Sequence, residues 1–444
     1  MTADAHNTTR AWAKTKTWRP RLGIADTPDF SKLLTASTVS SLGNGVYTTA
    51  LPLMAAALSS KPVAVASVVM AGRLPWLLFS LLAGTLADSW DRKRVMWTTN
   101  LLRAVATSAL AALIATGNGN LTVLAIMSFL IACADVFFDS GSFAVVPKMV
   151  NRDPARIRAA NAQLTSGQII GMNCIGPSAG GLLFGLARSM PFVTDALSFV
   201  TSALFLRRMD GNYRVPLALA PRGGLLAAVR EGLHWVWTHP LLRWLTLISG
   251  VFSLMCMVPM GAFVLFAEQV LHLDSFGYGV LLTTGALGSL VGTLAARHVE
   301  TAIGSSNALA VGLGIGGIAE LLMLYANSLP LAVTAMVLGG GSSMIWNVVQ
   351  ISLRQSATPD HLVGRINGVH KLVTWGAMPI GAMIGGVIAE IAGLRAPFLV
   401  AGSTITLVAV AARLLLSPAR IAATAADTFP DSTISASDAE SESL

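Results

Sequence analysis

The 444-residue chain is 54% hydrophobic and 12% charged, with a mean hydropathy of +0.66, so it has too little polar surface to coat a soluble globule of that length. Its formal charge of +8 is scattered over short loops without a continuous groove, which argues against a nucleic-acid partner. Cys133, Cys174 and Cys256 sit within apolar runs and share no metal-ligand spacing, so neither a disulfide framework nor a metal centre is expected.

In chain order, residues 1–29 are basic and polar and read as a disordered tail. Twelve apolar runs follow, at 32–58, 63–88, 95–116, 120–147, 159–186, 189–207, 241–271, 276–297, 305–326, 330–353, 366–392 and 396–416. Each is long enough to cross a hydrocarbon core of about 30 Å as a helix. The expectation is an all-α membrane protein with twelve transmembrane helices. The run beginning near Lys32 is too long for a signal-peptide core and has no small-residue cleavage site behind it, so it stays as the first span. Residues 30–207 and 241–416 would form two halves, joined by a polar linker at 208–240. Within that linker, His234-Trp235-Val236-Trp237 reads as a short interfacial helix. Residues 417–444 are acidic, low in bulky apolar groups, and read as a second disordered tail.

Lys61, Arg188 and Arg395 fall in loops placed outside, whereas Arg92, Lys93, Arg94, Lys148, Arg207, Arg208, Arg354 and Arg365 fall in loops placed inside. Cytoplasmic loops carry the excess of Lys and Arg. The chain is therefore expected to be a multi-pass protein of the cell membrane with both termini in the cytoplasm.

The sequence also repeats itself. Gly84-Thr85-Leu86-Ala87 recurs as Gly292-Thr293-Leu294-Ala295, Pro52 is matched by Pro259, Asn161 by Asn367, and Gly176, Gly180 and Gly181 by Gly381, Gly385 and Gly386. All hold an offset of roughly 206 residues, which indicates two homologous half-transporters with the site between them.

Two six-helix halves with inside termini and a central loop resemble the major facilitator superfamily. The run from Gly84 to Arg94, with Asp88, Asp91 and Arg92, resembles that superfamily's signature between helices two and three. Gly84 permits close helix approach, and the basic cluster stays in the cytoplasm. By resemblance, Asp88 and Arg92 belong to a charge relay that holds the cytoplasmic side shut. Ser89 and Asp91 depart from the family pattern, and the second copy, Ala296-Arg297-His298, lacks the Asp. The latch is thus expected in the first half alone.

The fifth span carries Gly176-Pro177-Ser178-Ala179-Gly180-Gly181, which resembles the helix-five signature of proton-coupled exporters. Pro177 removes a backbone donor and bends the helix, and the three glycines would pack tightly against the other half, making a pivot. The same residues also read as the G-x-S-x-G nucleophile elbow, but that motif needs a strand-turn-helix and a His partner.

A charge inside a span costs on the order of 2.5 to 3.5 kcal/mol even on insertion scales. Arg73 in the second span and Asp135 in the fourth lie at matching depth and are expected to pair, with Asp139 one turn further along. Two carboxylates against one Arg would leave one free to bind and release a proton. The alternative is a cluster that only holds the two helices together. Asp195 and Glu320 sit on helices that the resemblance makes peripheral and read as packing residues. Asn44 in the first span, Phe252 and Met255 in the seventh, and Trp346, Asn347 and Gln350 in the tenth are expected to line the substrate cavity.

Leu42-Gly43-Asn44-Gly45, the run Phe192–Phe199, and Arg354–Asp360 before Gly364-Arg365 resemble the drug:proton antiporter branch that includes bacterial macrolide and enterobactin exporters. That resemblance implies alternating-access export of a small amphipathic organic compound, such as a drug, antibiotic or siderophore-like molecule, in exchange for protons. A nutrient importer or facilitator of the same fold is the alternative, and a transporter-like sensor or membrane enzyme a more distant one. The chain has no P-loop and no H-E-x-x-H. The expectation is a non-enzymatic monomer without cofactor, whose partners are its substrate, protons and the lipid bilayer.

Overall fold

The computed structural model describes residues 28–87, 91–150, 153–211, 213, 225–359 and 362–417. The described secondary structure is helical. The first half comprises α1 (Pro28–Leu58), α2 (Pro62–Ala87), α3 (Arg92–Ala115), α4 (Leu121–Met149), α5 (Pro154–Ile169), α6 (Gly176–Leu186) and α7 (Met190–Arg207). α5 and α6 are one span, interrupted by a π-helical stretch at Ile170–Ile175. After the linker come α8 (Leu225–Thr238), α9 (Pro240–Met260), its continuation α10 (Phe263–Gln269), α11 (Ser275–Ile303), α12 (Ser305–Leu324), α13 (Leu329–Ser356), α14 (Val363–Ala392) and α15 (Ala396–Leu415).

Ten of these spans are long and apolar enough to cross a membrane by length and composition. α1 and α7 fall below that level for a local reason. α1 carries Ser37, Thr38, Ser40, Ser41, Thr48 and Thr49, and α7 carries Asp195 and Arg207, so both spend polar side chains within the first half. Large apolar side chains such as Leu102, Leu294, Ile391 and Leu407 remain exposed on the outside of the bundle, as a lipid solvent requires.

Helix starts are set by side-chain caps. Asp91 accepts from the backbone N–H of Lys93 and Arg94, Asn120 from Val123, Asp153 from Ala155 and Arg156, and Asp274 from Gly277, each satisfying donors that a helix leaves orphaned. Gly304 between α11 and α12 and Gly393 after α14 have φ of 79° and 88°, a left-handed conformation that terminates a helix cheaply only with glycine.

Packing repeats the sequence symmetry. In the first half α2 packs on α4, α3 on α4 and α7, and α1 on α6 and α7; in the second, α11 packs on α13, α12 on α13 and α15, and α9 on α14 and α15. The halves meet along two equivalent seams, α2 against α14 and α6 against α11.

The bundle has a linker end, where α7 stops and α8 begins, and an opposite end. At the opposite end the halves are closed. Glu390 accepts from the Val63 N–H at 3.0 Å, and a Cβ on Gly181 would collide with the Ser275 carbonyl, as one on Gly279 would with that of Pro177. Toward the linker end α5, the other part of the same span as α6, has no comparable packing on α11. α2 and α14 also meet at mid-span, through the Trp76–Trp375 ring contact at 4.2 Å.

The start of the linker docks back on α1. Asp29 accepts from the backbone N–H of Asp210 at 3.0 Å and of Gly211 at 2.8 Å, from the Tyr213 hydroxyl at 2.7 Å and from Lys32 at 3.2 Å. Burial alone would raise this carboxyl, but the four donors outweigh it and hold its pKa at about 2. Lys93 at the start of α3 donates to the Met209 carbonyl of the same stretch. α8 lies against α14, where Glu231 pairs with Arg365.

Candidate functional site

A cavity of about 100 Å³ opens within the first half, among α1, α2, α3, α4 and the π stretch. Its polar wall is made by Asn44, Tyr47, Arg73, Arg103 and Asp135, and Trp76 covers one side. Arg73 and Asp135 each stand fourteen residues from the linker end of their helices, about 21 Å at 1.5 Å per residue. Their depths match, as the sequence suggests.

The expected Arg73–Asp135 pair is nevertheless not formed. Asp135 is bridged by Arg103 of α3, Nη2 to Oδ1 at 3.0 Å, with the Arg103 side chain fully buried and that of Asp135 29% exposed. Arg103 also donates to Asn44 Oδ1 at 2.5 Å and to Asn100 Oδ1 at 3.1 Å, while the Asn100 amide donates to Ser202 at 2.7 Å. Its guanidinium lies 3.8 Å from the centroid of the Phe199 ring. α2 and α3 both pack on α4 and both arginines line the cavity, but it is the Arg103 guanidinium that meets Asp135.

Asp139 is not left without a counter-charge. Lys371 of α14 lies 3.8 Å from its Oδ2, and the same ammonium sits 5.1 Å and 4.8 Å from the ring centroids of Trp76 and Trp375. This ion pair crosses from one half to the other. The charge balance anticipated from sequence thereby changes: Arg103 and Lys371 answer Asp135 and Asp139, the buried Asp195 adds a third carboxylate within electrostatic reach of Arg103, and Arg73 makes no hydrogen bond or ion pair among the described residues. Arg103 and Lys371 were legible by the same rule that singles out Arg73, since both are charges inside apolar runs.

Asp195 proves more deeply embedded than its peripheral helix suggests. It is fully buried, Ser198 donates to it locally, its Oδ2 has no partner, and a Cβ on Gly43 of α1 would strike it. Tyr47 Oη and Arg103 Nε, in the same three-helix core of α1, α3 and α7, also lack partners. Glu320 lies on α12, within electrostatic reach of Cys256 on α9.

Of the residues expected to line the cavity, Asn44 does so. Phe252 and Trp346, with ring centroids 6.1 Å apart, are 8% and 3% exposed and belong to the packed core of the second half, with Met255 against it. Gln350 accepts from Arg354 at 2.9 Å, and Arg354 also donates to Asn367 at 3.1 Å, making a buried polar knot in α13 and α14. Asn347 is one turn from Ser343 on α13, half-buried.

The fifth span divides its glycines between two neighbours. Gly176 and Gly180 lie against Gly45 and Val46 of α1, inside their own half, and Gly181 alone of the three meets α11. The expected packing of all three on the other half therefore does not occur, because they lie on different faces of α6. Pro177 is the second residue of α6, just past the π stretch; the displaced hydrogen bonding there accommodates its missing N–H. Ser178 shares a 2.8 Å hydrogen bond with Thr283 of α11, an inter-half contact with no histidine near it among the contacts described. In the loop between α2 and α3, Gly84 lies within α2, Asp88 lies outside the described residues, and Asp91 caps α3 through Lys93 and Arg94. Arg92 is the first residue of α3, and the Arg94 side chain is exposed.

A family model described as "transmembrane secretion effector" matches residues 24–441. The chain is 28% identical to the multidrug efflux pump Tap of Mycolicibacterium fortuitum over 86% of this chain and 94% of that one. It is 24% identical to the enterobactin exporter EntS of Citrobacter koseri, over 91% and 96%. Among solved structures, a variant of the nucleoside transporter NupG superposes with a TM-score of 0.72 at 13% identity, covering 87% of this chain and 99% of that one.

Proposed function

Because the chain belongs to the transmembrane secretion effector family of major facilitator transporters, we propose that it exports an amphipathic organic compound in exchange for protons. The linker end, with its basic loops, is taken as cytoplasmic. The observation that carries the reading is the pair of carboxylates on α4: Asp135 on the cavity wall, held by Arg103, and Asp139 one turn nearer the linker end, joined across the halves to Lys371. Relatives named as efflux pumps and matched over nearly their whole length support the outward direction.

The mechanism follows from where the charges sit. With Asp139 ionised, Lys371 ties α4 to α14 on the linker side of the cavity. A proton on Asp139 removes the attraction and frees the halves to rock there, while the glycine seam of α6 and α11 closes or opens the other side. Asp135 lines the cavity, where Arg103 holds it in place beside the bound substrate.

The test is proton exchange in everted membrane vesicles energised by respiration and read with a pH dye, using amphipathic aromatic compounds as substrates. Asp139→Asn and Asp135→Asn should remain folded and lose substrate-induced proton release. Parent-like release from both single variants and from the double variant would refute the assignment. Accumulation driven in the opposite direction would make the protein an importer.

A further inference from the structure

We propose that the cavity of the first half selects compounds bearing an acidic group, a carboxylate, sulfonate or ionised phenol attached to an aromatic or aliphatic body, and that Arg73 receives that group. The proposal rests on the reading of this cavity as the substrate site and names the substrate's chemical class.

The wall carries two guanidiniums and one carboxylate, Arg73, Arg103 and Asp135. Asp135 is already answered by Arg103 at 3.0 Å, and Arg103 donates as well to Asn44 and Asn100. Asp139 cannot compensate Arg73, since Lys371 answers it across the interface. Arg73 feels the Asp135 charge without touching it and has no hydrogen bond or ion pair among the described residues. Even with the buried Asp195 counted near Arg103, Arg73 is the charge on this partly buried wall with no direct partner among the described residues. A guanidinium held at mid-span is costly unless something answers it, and its fork of donors matches a planar or tetrahedral oxyanion better than any neutral group. The surfaces beside it are apolar or aromatic, with Leu51, Val69, Trp76 and Ile131 among them. An oxyanion on Arg73 with a ring against Trp76 would satisfy both, and a neutral amphipath would leave Arg73 as it stands.

Two probes separate the charge from the body: 1-anilinonaphthalene-8-sulfonate and its neutral counterpart N-phenyl-1-naphthylamine, which share one ring system. Binding to the purified full-length protein in lipid nanodiscs is followed by probe fluorescence, with empty nanodiscs subtracted. The parent should bind the sulfonate at least tenfold more tightly than the neutral amine. Arg73→Gln should abolish that preference while leaving neutral-probe affinity within about twofold, and Arg73→Lys should keep part of it. A melting curve of each variant checks folding, and if Arg73→Gln does not fold, Arg73→Met and Arg73→Lys carry the same comparison. An unchanged preference in the Arg73 variants, or no preference in the parent, would overturn the proposal. Asp139→Asn should keep the sulfonate preference while losing proton exchange, so failure of the anion site and failure of proton coupling are read independently.

Discussion

Removing the carboxylate of Asp139 should loosen the linker side of the molecule by a calculable amount. At the observed 3.8 Å from Lys371, the Coulomb attraction of two unit charges is about 4 kcal/mol at an effective dielectric of 20. The Lys371 and Asp139 side chains are 43% and 30% exposed, so solvent screening and the freedom of the lysine reduce the net coupling to about 1 kcal/mol. That corresponds to a roughly fivefold shift of population toward the state in which α4 and α14 have separated. Lys371 keeps its contacts with Trp76 and Trp375, so the loss isolates the ion pair. The assay replaces Cys133, Cys174 and Cys256, introduces single cysteines on the linker-end turns of α5 or α13, and follows their reaction with a membrane-impermeant maleimide in everted vesicles. Asp139→Asn should react several-fold faster there, and cysteines at the opposite end of α6 and α11 more slowly. Exchanging the charges, with Lys at 139 and Asp at 371, should return both rates toward the parent. Parent-like rates at both ends in Asp139→Asn, or no recovery in the exchanged pair, would show that this ion pair does not hold the linker side.

Arg103→Ala should lower detergent melting strongly, by about 3 kcal/mol equivalent, because it strands Asp135 and the amides around a fully buried guanidinium; adding Asp135→Asn should recover part of the loss, and full independence of the two changes would show that the bridge does not matter. Gly181→Val should express and fold but lose transport, since its side chain would enter the Ser275 backbone, whereas Ala179→Val on the same helix, away from that seam, should be mild; equal activity of the two variants would remove α6–α11 closure from the cycle. Asp29→Asn should expose the linker near Arg208 to limited proteolysis by weakening contacts worth about 1 kcal/mol. Because the Asp29 pKa is lowered to about 2, its contribution is complete above the ordinary carboxyl value near 4 and is lost only as pH falls through 2, so cleavage of the parent should not change between pH 5 and pH 8. A rise in cleavage across that range would show that another group governs the docking.

The fold was legible because its signals are one-dimensional. Span length follows from bilayer thickness, and the recurrence of Gly84-Thr85-Leu86-Ala87 as Gly292-Thr293-Leu294-Ala295 announces two copies of one bundle, which reappear as matching packing orders around α3 and α12. Depth along a helix was legible too, and Arg73 and Asp135 do share a level. Rotation about the helix axis was not. Whether Asp135 meets Arg73 or Arg103 depends on which faces of α2, α3 and α4 converge, and hydropathy in nearly uniform apolar runs barely records it. The same ambiguity placed Trp346 and Phe252 on a cavity when they face their own half's core, and assigned Gly176 and Gly180 to the wrong neighbour. Asp91, a departure from the family pattern in the loop after α2, turned out to have a local reason: it caps α3.

The central claim is that substrate movement and proton movement are obligatorily linked through the carboxylates at the cavity. Purified protein reconstituted in liposomes, with an imposed pH gradient and both proton flux and 1-anilinonaphthalene-8-sulfonate flux recorded in the same vesicles, tests it most directly. The account predicts opposite, proportional fluxes in the parent, and in Asp139→Asn neither net flux although the compound still binds. Transport of the compound with no accompanying proton flux, or undiminished proton exchange in Asp139→Asn and Asp135→Asn, would contradict it.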